Sequence, residues 1–132
     1  MEITATIVMR ILFSIFMSIL FMQSGLDKLM NWNDEKGFYK KHFSQTFLKK
    51  TVDLLMPTIT IAELAAGFLS AIGVIYYLFS GEKTIACYGM IMSNISLLML
   101  FFGQRVAKDY AGAATIVTYF IVAAAGLYFY WL

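Results

Sequence analysis

The chain has 132 residues, of which 61% are hydrophobic, 17% aromatic and 14% charged, with a single Pro, a single Cys and a single His. This composition leaves no room for a separate water-soluble domain and reads as one membrane domain over residues 1–132. The formal net charge of +2 is too weak to point to nucleic acid, and the scarcity of Cys and His excludes a disulfide exchanger, a bis-histidine haem and a zinc centre.

Four apolar stretches fill most of the chain, at about residues 3–26, 57–79, 84–103 and 110–132. Each has the ~20 apolar residues that a helix needs to cross ~30 Å of hydrocarbon. They are too long for barrel strands and lack their alternation, so the predicted fold is an all-α, antiparallel four-helix membrane bundle. The first stretch has neither a basic leader nor a small-residue cleavage site, and is expected to remain as a spanning helix. Within it, Arg10, Ser14, Met17, Phe21, Ser24, Gly25 and Lys28 fall in one arc at helical spacing. Two readings of Arg10 fit: it snorkels to the headgroups, or it faces the bundle interior to meet a carboxylate or an anionic ligand.

The first connection, residues 27–56, holds Lys28, Lys36, Lys40, Lys41, Lys49 and Lys50, and the third holds Arg105 and Lys108. Basic short loops mark the cytoplasmic side, so both termini are predicted to be outside, periplasmic if this is a bacterial inner-membrane protein. Lysines at a membrane edge attract anionic lipid headgroups. From residue 38 to 56, Tyr39, Phe43, Phe47, Leu48, Val52 and Leu55 recur at helical spacing, the pattern of an amphipathic helix in the membrane interface. Pro57 then fits the first position of the second spanning helix. Trp32, Tyr128, Tyr130 and Trp131 lie where interfacial aromatic belts are expected. His42 reads as an interfacial side chain and Cys87 as a small apolar core residue.

Glu63 is the one acidic residue well inside a spanning stretch, ~9 Å from the start of a helix that opens at Pro57. It is expected to be buried, either as a structural ion pair or as a functional polar site. Its depth and the basic residues at the same edge predict a cluster of Glu63, Lys28, Gln104 and Arg105. Asp27, Lys108 and Asp109 flank that cluster, and Asn94 is placed to hydrogen-bond to another helix. Small residues spaced by four, Ala62, Ala66 and Ser70, then Gly89 and Ser93, with Gly112 to Ala114 and Ala123 to Gly126, mark close helix contacts.

Arg10, the helix end Ser24-Gly25-Leu26-Asp27-Lys28-Leu29, Glu63 followed by Gly67 and Gly73, and the run Gly103-Gln104-Arg105-Val106-Ala107-Lys108-Asp109-Tyr110-Ala111-Gly112 together resemble the DoxX/DoxD family. The likeness runs over the whole chain. It implies a small four-helix membrane protein that serves as a quinone-linked thiosulfate oxidoreductase subunit, as an anchor in an oxidative-stress complex, or as a maturation or assembly factor. On the redox reading, the bundle accepts a quinone or quinone-like lipid whose polar head meets Glu63, Lys28, Gln104 and Arg105. On the assembly reading, the chain holds another membrane protein and Glu63 only fixes helix register. With no second soluble domain for sulfur chemistry, a non-autonomous component of a redox complex is expected rather than a free-standing enzyme.

Overall fold

The computed structural model describes residues 2–132, and the described residues form helices without any strand. The order is α1 (Ala5–Met30), α2 (Trp32–His42), α3 (Val52–Ser80), α4 (Thr84–Val106) and α5 (Tyr110–Trp131). The chain is all-α, and α1, α3, α4 and α5 are each long and apolar enough to cross a membrane. Local chemistry sets several of their ends. Thr4 caps α1 by accepting from the Ile7 N–H at 3.3 Å, and Asp109 caps α5 by accepting from the Gly112 N–H at 3.0 Å. Gly81 ends α3 at φ 76, a left-handed conformation that costs a residue with a Cβ.

The four long helices form a ring. α3 packs on α1 and α4, and α5 closes the ring against α4 and α1. α3 and α5 face each other across it, where the Tyr77 and Tyr130 rings lie 6.0 Å apart. The start of α1 meets the ends of α3 and α5 through Arg10, and the end of α1 meets the first half of α3 through Lys28 and Glu63. Large apolar side chains such as Ile19, Phe68, Ile75, Leu98 and Ile121 point outward, while Ser14, Thr60, Glu63, Ser70, Ser93 and Ser96 are buried. A water-soluble bundle sorts its residues the other way, so this distribution suits hydrocarbon outside and polar contacts within.

The predicted small-residue stripes are largely where helices touch. Ala62, Ala66, Ser70, Gly89, Ser93, Ala113, Ala123 and Gly126 are buried. Of the arc predicted on α1, Ser14, Met17, Phe21, Gly25 and Lys28 are buried. The connection between α1 and α3 departs from expectation. In place of one helix over residues 38–56, α2 ends at His42, turns follow, and α3 begins at Val52. Burial explains the shift, because Phe43, Val52 and Met56 are all core residues and a straight surface helix would leave some of them outside. Pro57 consequently lies inside α3 rather than at its first position, and gives up the bond its N–H would make to the Asp53 carbonyl. At the far end of the bundle, Trp131 is 74% exposed as a belt residue would be, but Tyr130 is only 1% exposed and belongs to the core.

The tightest approach is between α3 and α4. A Cβ added at Gly73 would lie 2.5 Å from both Cα and N of Ala86, whereas one at Gly37 in α2 meets nothing within 4 Å. Gly73→Ala should therefore lower the thermal stability of the detergent-solubilised protein by ~1–3 kcal/mol through overpacking. Gly37→Ala should be neutral or stabilising by up to ~1 kcal/mol through helix propensity. Equal melting of Gly73→Ala and the parent would mean that α3 and α4 are farther apart than described.

Candidate functional site

α1 runs a full turn past Leu26, so Lys28 sits on the helix face that carries Gly25 and Phe21, not in a loop. From there it reaches Glu63 on α3. Glu63 is 0% and Lys28 6% exposed. Lys28 Nζ lies 3.1 Å from Glu63 Oε2, and the Ser24 hydroxyl donates to the same oxygen at 2.6 Å. Lys28 Nζ also donates to Ser24 Oγ at 3.1 Å, which closes a three-membered polar ring. Gly67, one turn beyond Glu63, lets α1 come this close, since a Cβ there would stand 2.8 Å from the Met22 backbone nitrogen.

The other carboxylate oxygen, Glu63 Oε1, is buried and has no hydrogen-bond partner among the described residues. A carboxylate accepts at both oxygens, and leaving one dry is costly. The site thus holds an acceptor with unused capacity, beside the Lys28 ammonium.

On the side toward α2, Lys28 Nζ lies 5.9 Å from the centre of the Tyr39 ring. Burial pushes the Tyr39 phenol above its ordinary pKa, with the Lys28 charge pulling the other way, so it is a neutral hydroxyl at physiological pH. Tyr39 also borders an apolar pocket of about 130 Å³ between the α2–α3 connection and α4, lined by Phe43, Val52, Met56, Ile59 and Gln104 among others.

The predicted cluster is only half assembled. Glu63 and Lys28 meet, whereas Gln104 bonds to His42 Nε2 at 2.7 Å and Arg105 is exposed, its guanidinium 4.8 Å over the Tyr110 ring. The physical reason is the end of α2, which places His42 and the following Phe43 against the end of α4; Phe43 lies against Gly103. Asp109 Oδ2 lies 4.0 Å from His42 Nε2, while Asp109 Oδ1 caps α5. Lys108 is exposed at a positive φ of 59, in the turn before α5, and Asp27 is exposed. Asn94 makes the interhelical bond expected of it, from Nδ2 to the Ala123 carbonyl at 3.1 Å.

Arg10 lies at the other end of the bundle, apart from Glu63. Its Nε donates to the Phe129 carbonyl at 2.7 Å and its Nη1 to the Tyr77 hydroxyl at 3.2 Å. Tyr130 completes this second polar group, sharing a 2.5 Å hydrogen bond with Ser14 and donating to the Arg10 carbonyl at 3.0 Å.

Two contributors escaped the sequence reading. Ser24 precedes Lys28 by one turn on the predicted arc, so helical spacing alone could have joined it to Glu63. Tyr39 carried no such signal, because its contact depends on how α2 folds back.

Removing one member of a buried ion pair leaves the other uncompensated. Glu63→Leu should lower stability by ~3–5 kcal/mol, read from thermal unfolding in detergent. Arg105→Gln, outside the cluster and exposed, should change it by less than ~0.5 kcal/mol. A large loss from Arg105→Gln would restore it to the polar site.

Comparison with protein-family models, with curated proteins and with solved structures finds no match to this chain. The geometry around Glu63 therefore carries the functional reading.

Proposed function

We propose that the chain is a DoxX-like integral membrane protein of the bacterial inner membrane, an antiparallel bundle acting as a non-autonomous subunit of a quinone-linked or oxidative-stress redox complex. In this reading, α2 and the turns after it lie in the cytoplasmic interface and both termini face the periplasm. The basic residues of the α1–α3 and α4–α5 connections support that orientation.

The observation that carries the functional reading is the unpartnered Oε1 of Glu63, held beside Lys28 in an otherwise apolar helix contact. Quinone reduction takes up protons, and hydroquinone presents hydroxyl donors. A buried carboxylate with one oxygen unsatisfied suits either partner. The apolar pocket, walled by Tyr39 and Gln104, offers a place for a ring or chain, and Tyr39 links it to the polar centre through its contact with Lys28. Lys28 sets the charge of the site, Ser24 orients Oε2, and Glu63 accepts the donor.

The alternative is an assembly or anchoring protein without redox chemistry, in which Lys28 and Glu63 serve only to lock α1 against α3. The short, saturated geometry at Oε2 supports it; the empty Oε1 does not.

Purification from native membrane in mild detergent, with mass spectrometry of co-purifying proteins and extracted lipids, separates the two. A stoichiometric redox partner or a retained quinone, lost in Glu63→Gln while the variant still folds, is the expected result. A bound client unaffected by Glu63→Gln, with no quinone, would select the assembly reading. Cysteines introduced at Lys40 and Glu82 should label from opposite sides of spheroplasts, and labelling of position 40 from outside would reverse the orientation.

A further inference from the structure

Arg10 is a permanent cation in a helix apolar enough to span a membrane, and no carboxylate pairs with it among the described residues. Its two hydrogen bonds go to neutral acceptors, the Phe129 carbonyl and the Tyr77 hydroxyl. These bonds draw the guanidinium inward, onto α3 and α5, rather than letting it snorkel freely. Phe129 lies in the last turn of α5, whose carbonyls carry about half a negative charge, so the arginine is only partly neutralised. Its Nη2 makes no hydrogen bond among the described residues.

The remaining donors have somewhere to act. Arg10 lines an open pocket of about 390 Å³, of mixed polar and apolar surface, together with Ile7, Tyr77, Leu78, Phe79, Ser80 and Gly81. The acidic residue closest in sequence to that wall, Glu82, is engaged elsewhere: it accepts from the Thr84 N–H at 3.1 Å and from the Thr84 hydroxyl, which hold its carboxyl below the usual range. A fork of N–H donors, held rigid by two bonds and facing a pocket at a helix end, matches the geometry of a phosphate or carboxylate.

We infer that Arg10 and the pocket between the start of α1 and the α3–α4 turn form an anion site that takes the phosphate group of a lipid head or of a soluble phosphate. The site is distinct from Glu63 and rests on the membrane reading of the chain, not on its redox role. Tyr77 and the Phe129 carbonyl position the guanidinium, and Nη2 supplies the free face toward the anion.

The test is native mass spectrometry of the full chain in detergent, titrated separately with phosphatidylglycerol and with diacylglycerol, which lacks the phosphate, beside calorimetry with inorganic phosphate. The parent should prefer phosphatidylglycerol by about tenfold, the scale of one charge-assisted hydrogen bond. Arg10→Gln should abolish the preference and Arg10→Lys should retain part of it. Ser80→Glu should abolish it too, because it places a carboxylate in the pocket from an exposed helix end; this variant decides the matter if Arg10→Gln does not fold. Arg10-dependent binding of inorganic phosphate without lipid preference would uphold the site with a soluble ligand. Equal binding of both lipids and no phosphate binding would overturn the site while leaving the membrane reading intact. A preference that survives both Arg10→Gln and Ser80→Glu would overturn it as well.

Discussion

The contact between Glu63 and Lys28 is the constraint around which the rest of the fold is arranged. A carboxylate with 0% exposure on a helix suited to hydrocarbon is intolerable unless a cation or donors accompany it. Lys28 is available because α1 continues past its apolar stretch, and Ser24 adds a second donor from the same face. α1 and α3 must then lie at one register and one rotation, since a slip of either helix would carry the charges into separate apolar surroundings. The pair fixes which ends of the helices meet, and so places Arg10 beside the ends of α3 and α5.

Close packing makes that arrangement possible. Gly67 faces the Met22 backbone, Gly73 faces Ala86 and Gly89 faces Ser70, so α3 presses against both neighbours with almost no side chain between. In hydrocarbon, apolar side chains gain little from touching each other rather than lipid, and contact of this kind with interhelical hydrogen bonds does most of the holding. Asn94 to Ala123 ties α4 to α5 in the same way, and Ser14 with Tyr130 ties α1 to α5. Polar groups recur along the bundle, but two of them, at opposite ends, are left unbalanced. One end holds a carboxylate with an unused oxygen, the other an arginine with unused donors. The proposed functions follow from those two imbalances of opposite sign.

The four long helices were legible because length and hydropathy in a membrane segment leave few alternatives, and the buried face of α1 was legible because its polar and small residues share one arc. Glu63 stood out for the same reason, and its pairing with Lys28 followed from depth. Gln104 and Arg105 were misplaced because sequence reports level along the bundle but not rotation about a helix axis. At the level of Gln104, the end of α2 brings in His42, and no periodicity encodes how α2 folds back on the bundle. Tyr130 was misread for a related reason: an aromatic near a chain's end matches both a belt and a core, and only the partner at Ser14 distinguishes them.

The most direct measurement of the central claim is a double-mutant cycle on Glu63→Gln and Lys28→Met, with unfolding free energies taken in one detergent. If the buried pair organises α1 against α3, the two substitutions are strongly non-additive, with a coupling of about 2 kcal/mol or more. A coupling under ~0.5 kcal/mol would show two independent side chains and would contradict the account.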